Sequence, residues 1–197
     1  KELKILCLST QIGCDMKCCF CHSGTIKKVR NVSQEEIVDQ ALLILEDLKE
    51  QPDVITLAGM GEPLANYDAS IGALHQFRSM FENIRLSLST VGLKEGLRRM
   101  IREKCSFGLY LSLHSSDEEV RKRIMPSSKQ CSLRELFSLL QEYAALNVPG
   151  TVRISYLLLD GLTNTKEQLH KLVDLTKNRN FQVQFRILNP FEGVPVK

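Results

Sequence analysis

Six short apolar segments, separated by stretches with helical periodicity, run along the whole chain. This alternation indicates an α/β protein, because strands connected through helices pair side by side in a parallel sheet. The predicted strands cover residues 3–9, 53–58, 84–90, 107–113, 152–159 and 182–188. Right-handed connections between them predict a parallel sheet that curls into an incomplete barrel, formed by a single domain over residues 1–197.

Capping signals mark where several of the intervening helices begin. A Ser or Thr followed three residues later by Glu or Gln can form a capping box, in which each partner satisfies a backbone N–H of the other. These pairs are Ser33 with Glu36, Ser132 with Glu135, and Thr165 with Gln168. The apolar stripe after Ser33 is predicted to be core and comprises Ile37, Val38, Ala41, Leu42, Leu45 and Leu48. Further helices are expected near residues 68–82 and 94–103, with a short one over Glu118–Ile124.

Polar residues follow the strands at their carboxyl ends, which is where chemistry occurs in barrels of this kind. The segments are GMGEP (59–63), Ser89–Thr90, Ser112–His114, Asp160–Gly161 and Asn189–Pro190. Their grouping predicts one pocket at this edge of the sheet. Asp160 with Gly161 is an ordinary turn pair. His114 alone would be read as a core histidine, and only the neighbouring polar groups make it a candidate ligand.

The segment CDMKCCFC, residues 14–21, places four cysteines within eight positions after the first strand. Cys14, Cys18 and Cys21 have CxxxCxxC spacing, whereas Cys19 lies outside it and is interpreted as a passive thiol. Three thiolates can bind three irons of a [4Fe-4S] cluster and leave the fourth iron without a protein ligand. Structural zinc is the alternative, and it would need a fourth ligand such as the neighbouring His22.

Composition narrows the class of protein. No apolar run reaches the roughly 18 to 20 residues of a membrane span, and residues 1–10 lack the pattern of a signal peptide. Seven cysteines, an odd number, in a chain without an export signal indicate reduced thiols and a cytoplasmic location. Because the chain begins with Lys1 rather than Met, we expect a fragment, or a shortened relative, of a longer protein.

The net charge of +3 is too small to indicate nucleic-acid binding by itself. Three local clusters of basic residues are more suggestive, and each is either a solvated face or an RNA-binding surface. They are Lys27, Lys28 and Arg30; Arg98, Arg99, Arg102 and Lys104; and Arg121, Lys122 and Arg123.

The CxxxCxxC loop after the first strand of a partial barrel resembles the signature of the radical S-adenosylmethionine (SAM) enzymes. In that superfamily the amino and carboxylate groups of SAM chelate the open iron. The reduced cluster then splits SAM into methionine and a 5′-deoxyadenosyl radical. GMGEP resembles the superfamily's glycine-rich motif after strand two, which contacts the amino group of SAM. The resemblance therefore implies two cofactors, SAM and a [4Fe-4S] cluster bound by Cys14, Cys18 and Cys21.

Further motifs narrow the resemblance to the RlmN/Cfr-type RNA methyltransferases. These enzymes methylate C2 or C8 of an adenosine in 23S rRNA, and those that methylate C2 also modify tRNA. The motifs are CLSTQIGCDMKCCFC, GMGEPL, LSTVG, LSLH, MP, LLLDG and LNPF, in the order and spacing of that group. The resemblance implies a six-stranded (βα)6 partial TIM barrel and an enzyme that methylates adenosine, most simply at C2. The implied SAM-binding residues are Gly59, Gly61, Glu62, Ser89, Ser112, Leu113, His114 and Asn189.

The same resemblance gives Cys7, seven residues before Cys14, a catalytic role. The corresponding thiol helps to release the methylated product by forming a disulfide with a second cysteine, which carries the methyl group. That second cysteine lies beyond the NPF motif in the family, and no cysteine of this chain occupies a matching place. RNA is the implied substrate, with an electron donor such as a flavodoxin or ferredoxin, and we expect a monomer with no membrane partner.

Two other functions are compatible with these residues. A radical SAM enzyme of another class, acting on a protein or a small molecule, would share the cluster and SAM residues and differ at Cys7. A degenerate relative would keep the fold and bind metal or RNA without catalysis. Stabilisation by SAM distinguishes the degenerate relative from both enzymes, because a specific ligand stabilises the native state.

Overall fold

The computed structural model describes residues 3–148 and 150–194 of the chain. Eight strands lie within these ranges, and six of them form a parallel sheet in the order β1-β4-β5-β6-β7-β8, while β2 and β3 form a small antiparallel pair. In chain order the strands are β1 (Ile5–Leu8), β2 (Gln11–Ile12), β3 (Arg30–Asn31), β4 (Val54–Leu57), β5 (Arg85–Thr90), β6 (Gly108–Ser112), β7 (Val152–Leu158) and β8 (Gln182–Ile187).

Six α-helices within the described residues connect these strands. They are α1 (Gln34–Leu48), α2 (Tyr67–Met80), α3 (Lys94–Arg102), α4 (Glu118–Ile124), α5 (Leu133–Ala145) and α6 (Lys166–Thr176). Helix α1 begins with the predicted capping box, since Ser33 and Glu36 each accept a hydrogen bond from the backbone N–H of the other. Ser132 and Thr165 cap α5 and α6 through their hydroxyl groups. The predicted positions of the six sheet strands and six helices are confirmed.

The core lies between the sheet and the helices that cover its outer face. On the sheet strands, alternate residues point into this core because successive side chains of a strand face opposite ways. These residues include Leu6, Leu8, Ile55, Leu57, Leu86, Leu88, Leu109, Leu111 and Ile154, all of them buried. The outer face of the sheet is therefore apolar, as in other α/β proteins.

The opposite, inner face of the sheet is lined by polar and small side chains. One cavity of about 210 Å³ is lined by residues from all six parallel strands, including Ile5 of β1, Thr56 of β4, Ser87 of β5 and Arg186 of β8. A single cavity can touch both edge strands only if the sheet curls. The edge strands β1 and β8 are not paired with each other, so the barrel is open at one side. The predicted α/β partial barrel is confirmed.

The apolar stripe of α1 was predicted to be core along its whole length, and that prediction is wrong for its second half. Ile37, Val38 and Ala41 are buried, but Leu42 is 42% and Leu48 58% exposed. In this half of the helix, Leu45 and Leu48 line an open surface groove with Ile5 and Leu6 of β1, which is an edge strand, so no further strand covers them. None of the described helices combines the length and the apolarity that crossing a membrane would require.

A buried tyrosine joins α5 to the start of β6. The Tyr143 hydroxyl donates a hydrogen bond to the carbonyl of Phe107 at 2.7 Å and accepts one from the N–H of Phe107 at 3.1 Å. Removing the hydroxyl leaves two buried backbone groups without this partner. We expect Tyr143→Phe to lower the free energy of unfolding by about 2 kcal/mol, measured by urea denaturation.

The matched control removes the hydroxyl of Ser79, which forms its hydrogen bond within an exposed turn of its own helix. Ser79 donates to the carbonyl of Gln76 on the surface of α2. Ser79→Ala should change the free energy of unfolding by less than about 0.5 kcal/mol. Equal effects of the two substitutions would contradict the role assigned to Tyr143.

Candidate active site at the carboxyl ends of the strands

One cavity of about 140 Å³ lies where β4, β5 and β6 end, beside the cysteine loop. It brings together nine of the residues predicted from the sequence: Cys14, Cys18, Cys21, Gly59, Gly61, Glu62, Ser89, Ser112 and His114. It is also lined by residues that were not predicted as ligands, namely Met16, Phe20, Ala58, Thr90, Val91 and Met125. The site is therefore assembled from five separate segments of the chain.

The cysteine loop is closed at its base by the β2–β3 pair, in which Gln11 lies opposite Asn31 and Ile12 opposite Arg30. Gly13, directly after β2, has φ +79°, and a Cβ there would clash with the backbone carbonyl of Lys27. Only glycine combines this conformation with so close an approach. The sequence reading did not identify this small sheet, whose two strands have two residues each.

Backbone hydrogen bonds hold the cysteine loop in shape. The N–H of Cys14 donates to the carbonyl of Ile26 at 3.0 Å, and the N–H of Cys21 donates to the carbonyl of Cys18 at 3.2 Å. The N–H of Cys19 donates to the carbonyl of Ile124 at the end of α4, also at 3.0 Å. The loop is therefore fixed both within itself and to a helix that follows β6.

The three predicted ligand cysteines share one electrostatic environment. Burial raises the pKa of the Cys18 thiol, and the charges of Cys21 and Cys14 raise it further. Burial likewise raises the pKa of Cys14, to which a charge on Cys21 also contributes. Three neighbouring thiolates thus repel one another, and a bound cationic metal centre would relieve that repulsion.

The donor set fits an iron-sulfur cluster. Among the described residues, no group of three or more His, Cys, Asp or Glu side chains is arranged around one position for a single metal ion. A multi-iron cluster does not require such convergence, because each cysteine binds a different iron. His22, the sequence candidate for a fourth zinc ligand, has its ring against Phe191 at 5.3 Å between centroids.

The GMGEP segment turns tightly over the end of β1. The carbonyl of Met60 accepts hydrogen bonds from the N–H groups of Thr10 and Gln11, at 2.9 and 3.2 Å. Gly61 has φ +106°, and a Cβ there would clash with Gln11. Glycine is therefore required at Gly61, and the backbone after β4 lies directly against the segment that leads into the cysteine loop.

The carboxylate of Glu62 is buried and joins the end of β4 to the end of β5. Oε1 accepts from the N–H of Leu64 at 2.9 Å and from the Thr90 hydroxyl at 2.7 Å, and Oε2 accepts from the N–H of Val91 at 2.8 Å. Burial raises the pKa of this carboxyl group, while the three donors oppose the rise. An ionised carboxylate has about four acceptor positions, so Glu62 retains capacity for one further donor.

His114 joins the end of β6 to β7 and to the cysteine loop. Its Nδ1 accepts a hydrogen bond from the N–H of Leu157 at 3.1 Å, and its ring meets Phe20 edge to face at 4.8 Å between centroids. Burial, together with the nearby cations Arg121 and Arg186, lowers the pKa of the imidazole to about 3. The ring is therefore neutral at pH 7, with its proton on Nε2.

Arg121 is a buried cation at this site that the sequence reading assigned to a surface cluster. Its side chain is 2% exposed and donates to the carbonyls of Leu113 at 3.1 Å, Val91 at 2.7 Å and Ser112 at 3.3 Å. Burial lowers the pKa of the guanidinium to about 10, so it is charged at pH 7. Arg121 precedes the buried Ile124 by three residues and therefore lies on the same face of α4. This spacing is the feature of the sequence that indicates a buried position for Arg121.

Three predicted site residues lie outside the lining of this cavity. The Leu113 side chain is fully buried in the main core, and Asn189 is exposed after β8. Cys7 is exposed on β1, on the face opposite the buried Leu6 and Leu8 and therefore on the inner face of the barrel. Burial raises the pKa of the Cys7 thiol, and a hydrogen bond to the backbone of Ala58, which lines the cavity, opposes the rise.

The family model of the Radical SAM superfamily matches residues 8–175 of this chain. Among curated proteins, the probable dual-specificity RNA methyltransferase RlmN 2 of Protochlamydia amoebophila is 33% identical over 98% of this chain and 56% of its own length. The dual-specificity RNA methyltransferase RlmN of Pelobacter propionicus is 36% identical over 95% of this chain and 54% of its own length. The chain thus spans about half the length of these relatives.

Solved structures give the same fold. A radical SAM methyltransferase from Sphaerobacter thermophilus superposes with a TM-score of 0.89 and 26% identity, over 98% of this chain and 58% of that one. SuiB of Streptococcus suis, bound to S-adenosylmethionine, superposes with a TM-score of 0.74 over 99% of this chain and 43% of that one. Its identity of 16% supports a common fold only.

The neutral state of His114 predicts a dependence of stability on pH. The unfolded chain binds a proton at this histidine below about pH 6.5, whereas the folded chain does so only near pH 3. The unfolded state therefore binds more protons between these values, and lowering the pH through this window favours unfolding. Each pH unit of acidification within this window should lower the free energy of unfolding by up to about 1.4 kcal/mol.

The variant His114→Asn tests this prediction by denaturant titration at several pH values. Asparagine tolerates the positive φ of 56° at this position and offers an acceptor oxygen near Nδ1, but it does not titrate. The unfolding free energy of the variant should fall less steeply with acid than that of the wild type. Parallel curves for the two proteins would contradict a neutral, buried His114.

Proposed function

The chain belongs to the radical SAM superfamily, and on that premise we propose that its cavity at the strand ends binds a [4Fe-4S] cluster and SAM. The observation that carries the proposal is the meeting of Cys14, Cys18 and Cys21 in one cavity with the glycine-rich turn and with Ser89, Ser112 and His114. Three thiolates match three irons, and the fourth iron is left for SAM. When bound, the cluster supplies the electron that cleaves SAM reductively.

The residues around the proposed cluster are suited to holding a zwitterionic nucleoside. The hydroxyls of Ser89 and Ser112 can donate or accept, and the neutral His114 presents an Nε2–H donor. Glu62 can accept one more hydrogen bond, which suits the amino group of SAM. We assign Gly59, Gly61 and Leu113 to backbone contacts with SAM, and Asn189 to contact once the segment after β8 lies over the cavity.

We propose an adenosine in RNA as the substrate and C2 as the position methylated, in 23S rRNA, tRNA or both. The support is that the curated relatives carry the name dual-specificity RNA methyltransferase and match nearly the whole of this chain. The target base would have to leave its stack to reach the cavity. Reduced thiols and an RNA substrate are consistent with a cytoplasmic monomer that receives electrons from a flavodoxin or ferredoxin.

Cys7 is proposed to be the thiol that releases the methylated product by forming a disulfide with the methyl-carrying cysteine. The C–S bond between that cysteine and the base breaks, and the carbon keeps the electron pair and takes a proton to become the methyl group. The position of Cys7 supports this role, because Cys7 lies on the inner face of β1 and bonds the backbone of Ala58, which also lines the cavity. Burial raises the pKa of this thiol. A radical SAM enzyme of another class would have no use for this thiol.

The first test of the proposed function is cleavage of SAM by the chain after anaerobic reconstitution with iron and sulfide and chemical reduction. We expect 5′-deoxyadenosine, measured by liquid chromatography, from the wild type and none above background from Cys18→Ala. Cys19→Ala, which removes the neighbouring thiol outside the CxxxCxxC spacing, should retain product formation. A folded wild-type chain that binds iron and forms no 5′-deoxyadenosine would contradict the proposal.

The second test concerns Cys7. The RNA methylation assay uses a longer protein that supplies the methyl-carrying cysteine beyond the NPF motif, because no cysteine of residues 1–197 occupies that place. In that protein Cys7→Ala should reduce methyl transfer to RNA at least 100-fold and leave the formation of 5′-deoxyadenosine intact, because this thiol acts after SAM is cleaved. Cys105→Ala, at a buried thiol beside Tyr67, is the matched control and should methylate normally. Full methyl transfer by Cys7→Ala would favour a mechanism of another radical SAM class.

A further inference from the structure

Half of the residues in the three basic clusters are neutralised or buried in the folded protein. Carboxylates pair with Arg30, Arg98, Arg99 and Lys122, and Arg121 is buried beneath backbone carbonyls. The ion pairs are Arg30–Glu36, Arg98–Glu95, Arg98–Glu135, Arg99–Asp68, Arg99–Glu103, Lys122–Glu118 and Lys122–Glu119. A neutralised arginine attracts phosphate poorly, so these five residues are weak candidates for binding RNA phosphates.

A different set of arginines lies along the inner face of the barrel and at the amino ends of its strands. We call it the inner arginine set: Arg85, Arg153 and Arg186 on the strands, and Arg78 near the end of α2. Within the described ranges none of the four forms an ion pair with a carboxylate. No described carboxylate lies within ion-pair distance of these guanidinium groups, in contrast to Arg98 and Arg99 of α3, although Asp53 and Glu82 line a neighbouring surface cavity together with Arg85.

Neutral groups hold the inner arginine set in place. Arg153 donates to the Tyr110 hydroxyl at 2.9 Å and to the Gln182 side-chain oxygen at 3.0 Å, and its guanidinium lies over the Tyr110 ring. Arg78 donates to the carbonyl of Ser106 and stacks over Phe107. These contacts orient the guanidinium groups and leave their charge unbalanced, which is the arrangement of a preformed anion site.

The inner arginine set lines neighbouring cavities that share lining residues. A cavity of about 340 Å³ at the amino ends of the strands is lined by Arg78, Arg85 and Arg153, and no acidic residue lies among its described lining residues. Arg85 and Tyr110 also line the cavity of about 210 Å³ inside the barrel, and Arg186 is a further lining residue of that cavity. That cavity in turn shares Ala58 and Ser89 with the site at the strand ends.

Charge, shape and side-chain chemistry of this space suit a single-stranded nucleic acid. Guanidinium groups bind phosphate oxygens in bidentate fashion, and a concave surface of one sign focuses its field on an anionic ligand. Tyr110 adds an aromatic face of the kind on which bases stack in single-strand binding grooves. From Arg85 to Ser89 the inner face extends ~13 Å along β5, so the phosphates and the reacting base would lie along one path.

We propose that the inner arginine set binds phosphate groups of the RNA strand that carries the target base. This inference rests on the proposed function and names the surface through which this chain holds its substrate. The strand enters through the open side of the barrel between β1 and β8, and Arg85, Arg153 and Arg186 contact its phosphates. The base next to these phosphates then reaches the cavity at the carboxyl ends of the strands.

The test is the salt dependence of RNA binding, measured by fluorescence anisotropy with a labelled single-stranded oligoribonucleotide and the 197-residue chain. Each phosphate contact with a single strand contributes about 0.7 to the slope of log K against log salt. The double variant Arg85→Gln/Arg153→Gln should therefore lower the slope by about 1.4. Arg85→Lys/Arg153→Lys should keep most of the slope, because lysine retains the charge.

The matched control is Arg102→Gln/Arg134→Gln, which removes two exposed arginines from α3 and α5 that have no ion pair within the described residues. Its slope should equal that of the wild type. Arg186→Gln, at an exposed position where folding is not in question, should lose about 0.7 by itself. Circular dichroism melts establish that each variant is folded.

The outcomes separate the inference from the proposed function. If the wild type binds RNA and neither Arg85→Gln/Arg153→Gln nor Arg186→Gln changes the slope, the inner arginine set is not the phosphate site and the inference is overturned alone. If the wild type cleaves SAM and shows no salt-dependent RNA binding, both the RNA substrate and the inference fail. Formation of 5′-deoxyadenosine without RNA should be equal in all variants, because none of these arginines lines the SAM cavity.

Discussion

A series of buried polar side chains ties together the carboxyl ends of neighbouring strands, and the shape of the site depends on it. Glu62 joins β4 to β5, Arg121 joins β5 to β6, and His114 joins β6 to β7. Glu62 and Arg121 meet at one residue, because the N–H of Val91 donates to the carboxylate and its carbonyl accepts from the guanidinium. Because both groups bond the backbone of the same residue, Glu62 and Arg121 together fix the position of the chain at the end of β5.

The cysteine loop is positioned by the same groups. Phe20 packs on the edge of His114, and the N–H of Cys19 bonds the carbonyl that ends α4, the helix that carries Arg121. The loop thereby brings three thiols to the strand ends, where burial and mutual repulsion raise the pKa of Cys14 and Cys18. A bound cationic iron centre would relieve this repulsion, which is why we propose the loop and the strand ends as the cluster site.

Local patterns predicted the sheet strands and helices, because alternation, helical periodicity and capping boxes are encoded within short segments. The spacing of the cysteines likewise predicted which thiols would lie together. Contacts between distant segments had no such local signal. Arg121 was taken for a surface charge, although carbonyls up to 30 residues away bury it. Arg99 looked free because its partner Asp68 lies on another element. The exposure of Leu48 follows from its position beside the edge strand β1, which the periodicity of α1 does not encode.

The central claim is that three thiolates hold a four-iron cluster whose remaining iron is open to SAM. Mössbauer spectroscopy of the chain reconstituted anaerobically with iron-57 tests it most directly. The predicted result is a [4Fe-4S] spectrum in which one of the four irons changes its isomer shift when SAM is added, because that iron alone gains new ligands. A cluster with fewer irons, or a spectrum that SAM leaves unchanged, would contradict the claim.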